Sequence, residues 1–161
     1  MGAEIYDSGF VNVTNIDIST VVINQMTAVC ADREEMECKD FFCIFALLHL
    51  CLLSVVTVLD ARNMEFIPDQ CFDLIIDKGR ILPLIFLDSH THAALFDSIL
   101  CSPNNLSDME ALLKEMYRVL KLGGVYIIIS HGGPDSRVGH IKRHIDVEIQ
   151  AISIRKYHYL S

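Results

Sequence analysis

Hydrophobic and polar positions along the chain fall into strand and helix periods that alternate. Residues Val11 to Ile18 (VNVTNIDI) interleave β-branched and polar side chains, the period-two pattern of a strand. From Thr20 to Val29 the pattern becomes helical, and Ser19 is placed to cap that helix through its hydroxyl. Two further strands are expected from Val55 to Leu59 and from Cys71 to Ile76, separated by a Pro68-Asp69-Gln70 turn. Leu106 to Leu120 spaces Met109, Leu112, Leu113, Met116 and Leu120 three or four apart, a helical stripe, with Asp108 and Glu110 early and Arg118 and Lys121 late, as the helix dipole favours. Gly123-Gly124 is expected to end that helix, and VYIIIS reads as a buried strand. The last pattern, Ile145 to Ile149, alternates strictly and should be half exposed.

Strands alternating with helices predict an α/β fold with a mostly parallel sheet, in which ligands collect at the carboxyl ends of the strands. Asp17, Asp60, Asp77 and Ser130 all fall at such ends. Polar residues commonly end strands for local reasons, but four in series point to a site.

The 161 residues, with 52% hydrophobic content, suit one domain able to bury a core, and are too few for a TIM barrel of about 250 residues. A net charge of -8 gives no electrostatic reason to bind nucleic acid. None of the six cysteines forms a C-x-x-C pair, and most lie in apolar runs, which reads as a reduced, cytoplasmic chain. The N-terminus MGAEIYDSG carries no targeting pattern. Residues 41–59 contain no formal charge, a run near the length of about 20 that a bilayer span requires. Its interior His49 and its flanks, which lack a Lys/Arg asymmetry, favour burial in protein; a membrane-associated protein is the alternative.

Four blocks, YDSGFVNVTNIDIS, VLDARNMEFIPDQCFDLIIDKG, DSILCS and EMYRVLKLGGVYIIISHGGPD, together resemble a class I S-adenosylmethionine-dependent methyltransferase. They are most similar to the methyltransferase-like proteins that include the eukaryotic elongation factor lysine methyltransferases. The resemblance implies a Rossmann-like sheet, S-adenosylmethionine as cofactor and a protein lysine as substrate. It makes Asp17 the residue that accepts from the two ribose hydroxyls and Asp60 the acceptor for the adenine amino group, with the backbone of Ala61 and Arg62 beside the ring. It places Asp77 as the catalytic residue facing the methyl group and the substrate amine, and His131 near the substrate. Leu122 stands where the family's Lys-Pro-Gly-Gly has proline.

Against the family pattern the chain begins after the glycine-rich loop that would precede the helix at Ala3 to Gly9, so the first, central strand would be missing and the domain partial. Residues 40–56 and 80–96 look like inserts, and the last antiparallel edge strand is expected to be absent. The resemblance therefore leaves two functions open, a methyltransferase and a catalytically incompetent fragment of one. Two histidine patterns compete weakly. His90-x-His92 resembles the first metal ligands of amidohydrolases, but the further ligands have no barrel to come from, and His140 and His144 lack the glutamate of a zinc hydrolase; no metal is expected.

Overall fold

A computed structural model describes residues 2–10, 12–31, 36–38, 54–78 and 95–152. The expected inserts and the 41–59 run lie largely outside these residues, as do His49, His90 and His92. The chain divides into two compact units, Met1–Ile75 with Glu115–Val125, and Ile76–Lys114 with Tyr126–Ser161.

The first unit opens with α1 (Gly2–Asp7), which stops where Gly9 adopts φ 100° and its N–H returns to Tyr6 O. Only glycine takes that left-handed conformation without strain. β1 (Thr14–Asp17) is shorter than the expected 11–18, and Ser19 caps α2 (Thr20–Cys30) as its hydroxyl accepts from Val22 N. Ile23 and Cys30, two turns apart on α2, are buried, with Tyr6 and Met26 packed against them. β2 (Met36–Cys38) and β3 (Ser54–Val58) complete a sheet of order β1-β3-β2, parallel throughout. Its register runs from Thr14 opposite Val55 to Asp17 opposite Val58, and Leu59 N extends it by donating to Asp17 O at 3.0 Å.

β4 (Phe72–Lys78) and β5 (Leu120–Ile129) form a second, two-stranded sheet, and both run through the two units. Between them lie α3 (Leu95–Leu100) and α4 (Asn105–Val119), the latter within one residue of the expected helix at each end. Its stripe holds at Met109, Leu112 and Leu113, buried in the second unit, and at Met116 in the first, but it closes on buried Val119, because the expected Leu120 is the half-buried first residue of β5. The glycine pair does different work from that expected. α4 already ends at Val119, and Gly123 and Gly124 lie inside β5, Gly123 at φ 79°. A Cβ on Gly124 would come within 3.0 Å of Asp73 O on β4 and 2.9 Å of the Leu120 side chain. The glycine is needed for close strand approach rather than for a helix cap.

α5 (Pro134–Lys142) starts with proline, whose fixed φ suits a first helical turn. Beyond it Ile145, Val147 and Ile149 are half-buried and Asp146 and Glu148 exposed, so the alternation holds, although no strand ladder forms there. The described residues thus make a mixed α/β structure with short sheets, the larger one parallel.

Candidate functional site

The two carboxylates expected at the cofactor occupy equivalent places in the first unit. Asp17 ends β1 and Asp60 lies two residues beyond β3, its parallel neighbour, so both sit at the carboxyl end of one sheet. Each forms an Asx turn, its Oδ1 accepting a backbone N–H two residues on: Ser19 N at 2.8 Å for Asp17 and Arg62 N at 2.9 Å for Asp60. The local sequence therefore explains both aspartates without a ligand, while leaving their acceptor capacity different.

The Asp17 side chain has no other hydrogen bond among the described residues, so its Oδ2 is open to a hydroxyl pair. Asp60 is gripped by its own neighbour. The Arg62 guanidinium donates from Nε to both oxygens, at 3.0 and 3.1 Å, and from Nη2 to Oδ2 at 2.7 Å. The Arg62 side chain, above all, holds the Asp60 carboxyl below the usual carboxylate range, so Asp60 stays an anion and an acceptor. Three N–H groups share a carboxylate that offers about four lone-pair directions, which leaves room for one further donor such as an amino group. Ala61, Met64 and Ile67, three residues apart, are buried and turn the loop inward, while Arg62 is half-exposed beside them. Asn15, on the same face of β1 as Asp17 by strand alternation, has a buried amide nitrogen with no partner among the described residues. An open carboxylate oxygen and a fixed second carboxylate are acceptors suited to a polar ligand bearing vicinal hydroxyls and an amino group.

The second unit assembles a separate acidic cluster. Asp77, 7% exposed, accepts from Leu95 N at 3.0 Å and Phe96 N at 2.9 Å, the first two residues of α3, and from the Tyr126 hydroxyl at 3.3 Å. Oδ2 therefore accepts two bonds from the protein itself and Oδ1 one, which leaves one acceptor direction on Oδ1. Desolvation, opposed by these hydrogen bonds, raises its pKa, and burial beside Asp77 pushes the Tyr126 phenol up as well.

Asp97, which sequence reasoning gave no role, accepts from Ser130 Oγ at 2.6 Å, from His131 N at 2.9 Å and from Arg137 Nη2 at 3.0 Å. Arg137 Nε also donates to Ser130 Oγ, and its guanidinium lies so close to Gly132 that any Cβ there would overlap it. His131 is thus fixed through its backbone just past β5, with its residue exposed. Nothing local marks Asp97 for this, because Ser130 stands 33 residues later. Among the described residues no group of three potential metal ligands gathers, and no helix is long and apolar enough to cross a membrane. His144 has its Nε2 buried without a partner among the described residues.

No protein-family model matches the chain. Curated proteins do. Over 146 residues it is 30% identical to the Homo sapiens eEF1A lysine and N-terminal methyltransferase, a match covering 89% of this chain. The Drosophila melanogaster homolog of that protein is 29% identical over 131 residues, 81% of the chain. The Mus musculus EEF1A lysine methyltransferase 4 is 27% identical over 137 residues, covering 85% of this chain and 44% of that protein. The chain spans only 16% of the length of the human relative and 15% of the fly one. Over most of its length it is similar to a segment of methyltransferases whose names specify eEF1A, and the resemblance to the methyltransferase-like family carried by its motifs is borne out by these relatives.

Proposed function

We propose that the protein is an S-adenosylmethionine-dependent methyltransferase acting on a protein lysine, eEF1A being the substrate class its relatives' names suggest, and that the described first unit supplies the adenosine end of the cofactor site. The observation that carries this reading is the register of β1 against β3. It sets Asp17 opposite Val58 and so brings two Asx-turn aspartates to one end of a parallel sheet, where ligands of such sheets bind.

In this reading Asp17 accepts from the ribose hydroxyls through its open oxygen, and Asp60, oriented by Arg62, accepts from the adenine amino group beside the Ala61 and Arg62 backbone. The bound cofactor supplies an activated methyl group on a sulfonium. The chain's own residues bind and orient, which for transfers of this kind supplies most of the rate. Asp77 is the catalytic candidate its motif implies, and it also has a structural role. Its bonds to Leu95, Phe96 and Tyr126 position the end of β4 and the start of α3, and the remaining acceptor direction on Oδ1 is what it offers a substrate amine. His131, held by Asp97, is the substrate-side candidate. We place the protein in the cytoplasm, with its substrate, as one partial methyltransferase domain.

The alternative is a fragment that binds without turnover, favoured by the three protein donors that already engage Asp77. Incubation with tritiated S-adenosylmethionine and cell extract, followed by acid hydrolysis, separates the two. Tritiated methyl-lysine that depends on the chain and on Asp17 supports the enzyme. Cofactor binding with no methyl-lysine supports the fragment.

A further inference from the structure

The loop that carries Asp60 is held from a distance. Arg118, near the end of α4, donates through Nη1 to Ile67 O at 2.6 Å and to Asp69 Oδ1 at 2.7 Å, and through Nη2 to Met64 O at 2.7 Å. Its Nε and Nη2 also donate to the two oxygens of Glu115 one turn earlier, at 2.9 and 2.8 Å. Glu115 in turn accepts from Met64 N at 2.6 Å. The main chain closes the same loop a second time, as Gln70 N donates to Arg118 O at 2.9 Å with Gln70 at φ 52°.

Both polar groups of the Met64 backbone are therefore tied to one ion pair, four residues after Asp60. The flat five-donor fork of Arg118 serves five acceptor atoms on four residues at once, a geometry that lysine, with a single ammonium on a flexible stem, does not reproduce. Glu115 and Arg118 are 18% and 26% exposed, so solvent competes weakly for these bonds. A turn from Asp60 to Gln70 needs no such clasp for chain reversal alone, since Pro68-Asp69 supplies turn chemistry and Ala61, Met64 and Ile67 already bury. The clasp adds a fixed height and orientation for the loop's first turn, which presents Asp60 and the Ala61 and Arg62 backbone.

We propose that Arg118 and Glu115 are positioning residues for recognition of the cofactor's adenine amino group, acting through Met64 on the Asp60 turn. This rests on the reading that the Asp60 turn takes the adenine. Asp17, on β1, lies outside the clasp, so loosening the clasp leaves the ribose contact in place and removes discrimination at the base.

The test is isothermal titration of the intact chain with S-adenosylhomocysteine and with S-inosylhomocysteine, in which a carbonyl replaces the amino group. The parent is expected to prefer the adenine compound by about tenfold or more, the worth of one hydrogen bond to a charged acceptor. Arg118→Lys and Glu115→Gln are expected to lose that preference while still binding both compounds, and to lose amide-exchange protection at Met64. Asp17→Ala is expected to weaken both compounds equally and keep the preference. A merely structural role for the clasp would not change the ratio between the two ligands. Retention of the ratio in both clasp variants, with Met64 deprotected, overturns the inference and leaves the adenosine reading standing. A parent that binds neither compound, or binds both equally, overturns that reading and the inference with it. Collapse of the far-ultraviolet circular dichroism in Glu115→Gln assigns the clasp to folding and overturns the inference alone.

Discussion

Asp77 is held by three donors at a buried position, and these contacts make a stability prediction. Asp77→Ala strands two backbone N–H groups and a phenol at a buried position, so it should destabilise the chain by about 1 to 3 kcal/mol in urea titration. The pH dependence has a definite sign. Burial raises the folded pKa of Asp77 above its ordinary value of 3.8, so in the window above that value the folded chain binds more protons than the unfolded one. The Asp77 contribution to stability must therefore fall as pH rises through the raised pKa. Asp77→Asn removes that component; an unchanged slope of urea midpoint against pH in the variant would contradict the burial account. Asp60 and Glu115 act oppositely, since Arg62 and Arg118 hold them low, and their contribution is present above the ordinary carboxylate range and lost as pH falls through the lowered values. At this scale Asp17 and Asp60 were legible because strand endings are read from local pattern. Asp97, Tyr126 and Glu115 were not, because their partners are long-range in sequence and no local period marks them.

Among the elements, α4 is specified most strongly. Its stripe, dipole charges and length were all readable, and the structure buries Leu112 and Leu113 completely. Leu112→Ala is expected to cost about 2 to 5 kcal/mol, the cavity range, measured as a shift in urea midpoint at constant slope. Ser19→Ala should cost about 0.5 kcal/mol, the low end for a cap, because the Ser19 to Val22 bond is long at 3.4 Å. A loss above 2 kcal/mol there would mean that Ser19 does more than cap. β5 was misjudged at its start for a physical reason: paired glycines after a helical stripe signal a cap, but Gly124 is demanded by the nearness of Asp73 O, a contact across strands that no local pattern reveals. The 145–149 segment shows the converse, alternation without a ladder, since period-two exposure requires only an extended chain over a surface.

At the level of the molecule, the chain carries a parallel three-stranded sheet with two aspartates at its carboxyl end, and relatives of much greater length that modify eEF1A by name. Fold class was legible from the alternation of periods, whereas the separation into two units was not, because it depends on which segments meet and not on their periodicity. The central claim is that the β1 and β3 ends form an adenosine-recognising pair. It is tested most directly by isothermal titration of S-adenosylmethionine into the parent chain, Asp17→Ala and Asp60→Ala. Each substitution removes a charge-assisted hydrogen bond worth about 1.5 to 3 kcal/mol, so the expected result is measurable binding in the parent, weakened roughly tenfold or more in either variant. Binding of unchanged affinity in both variants would contradict the claim.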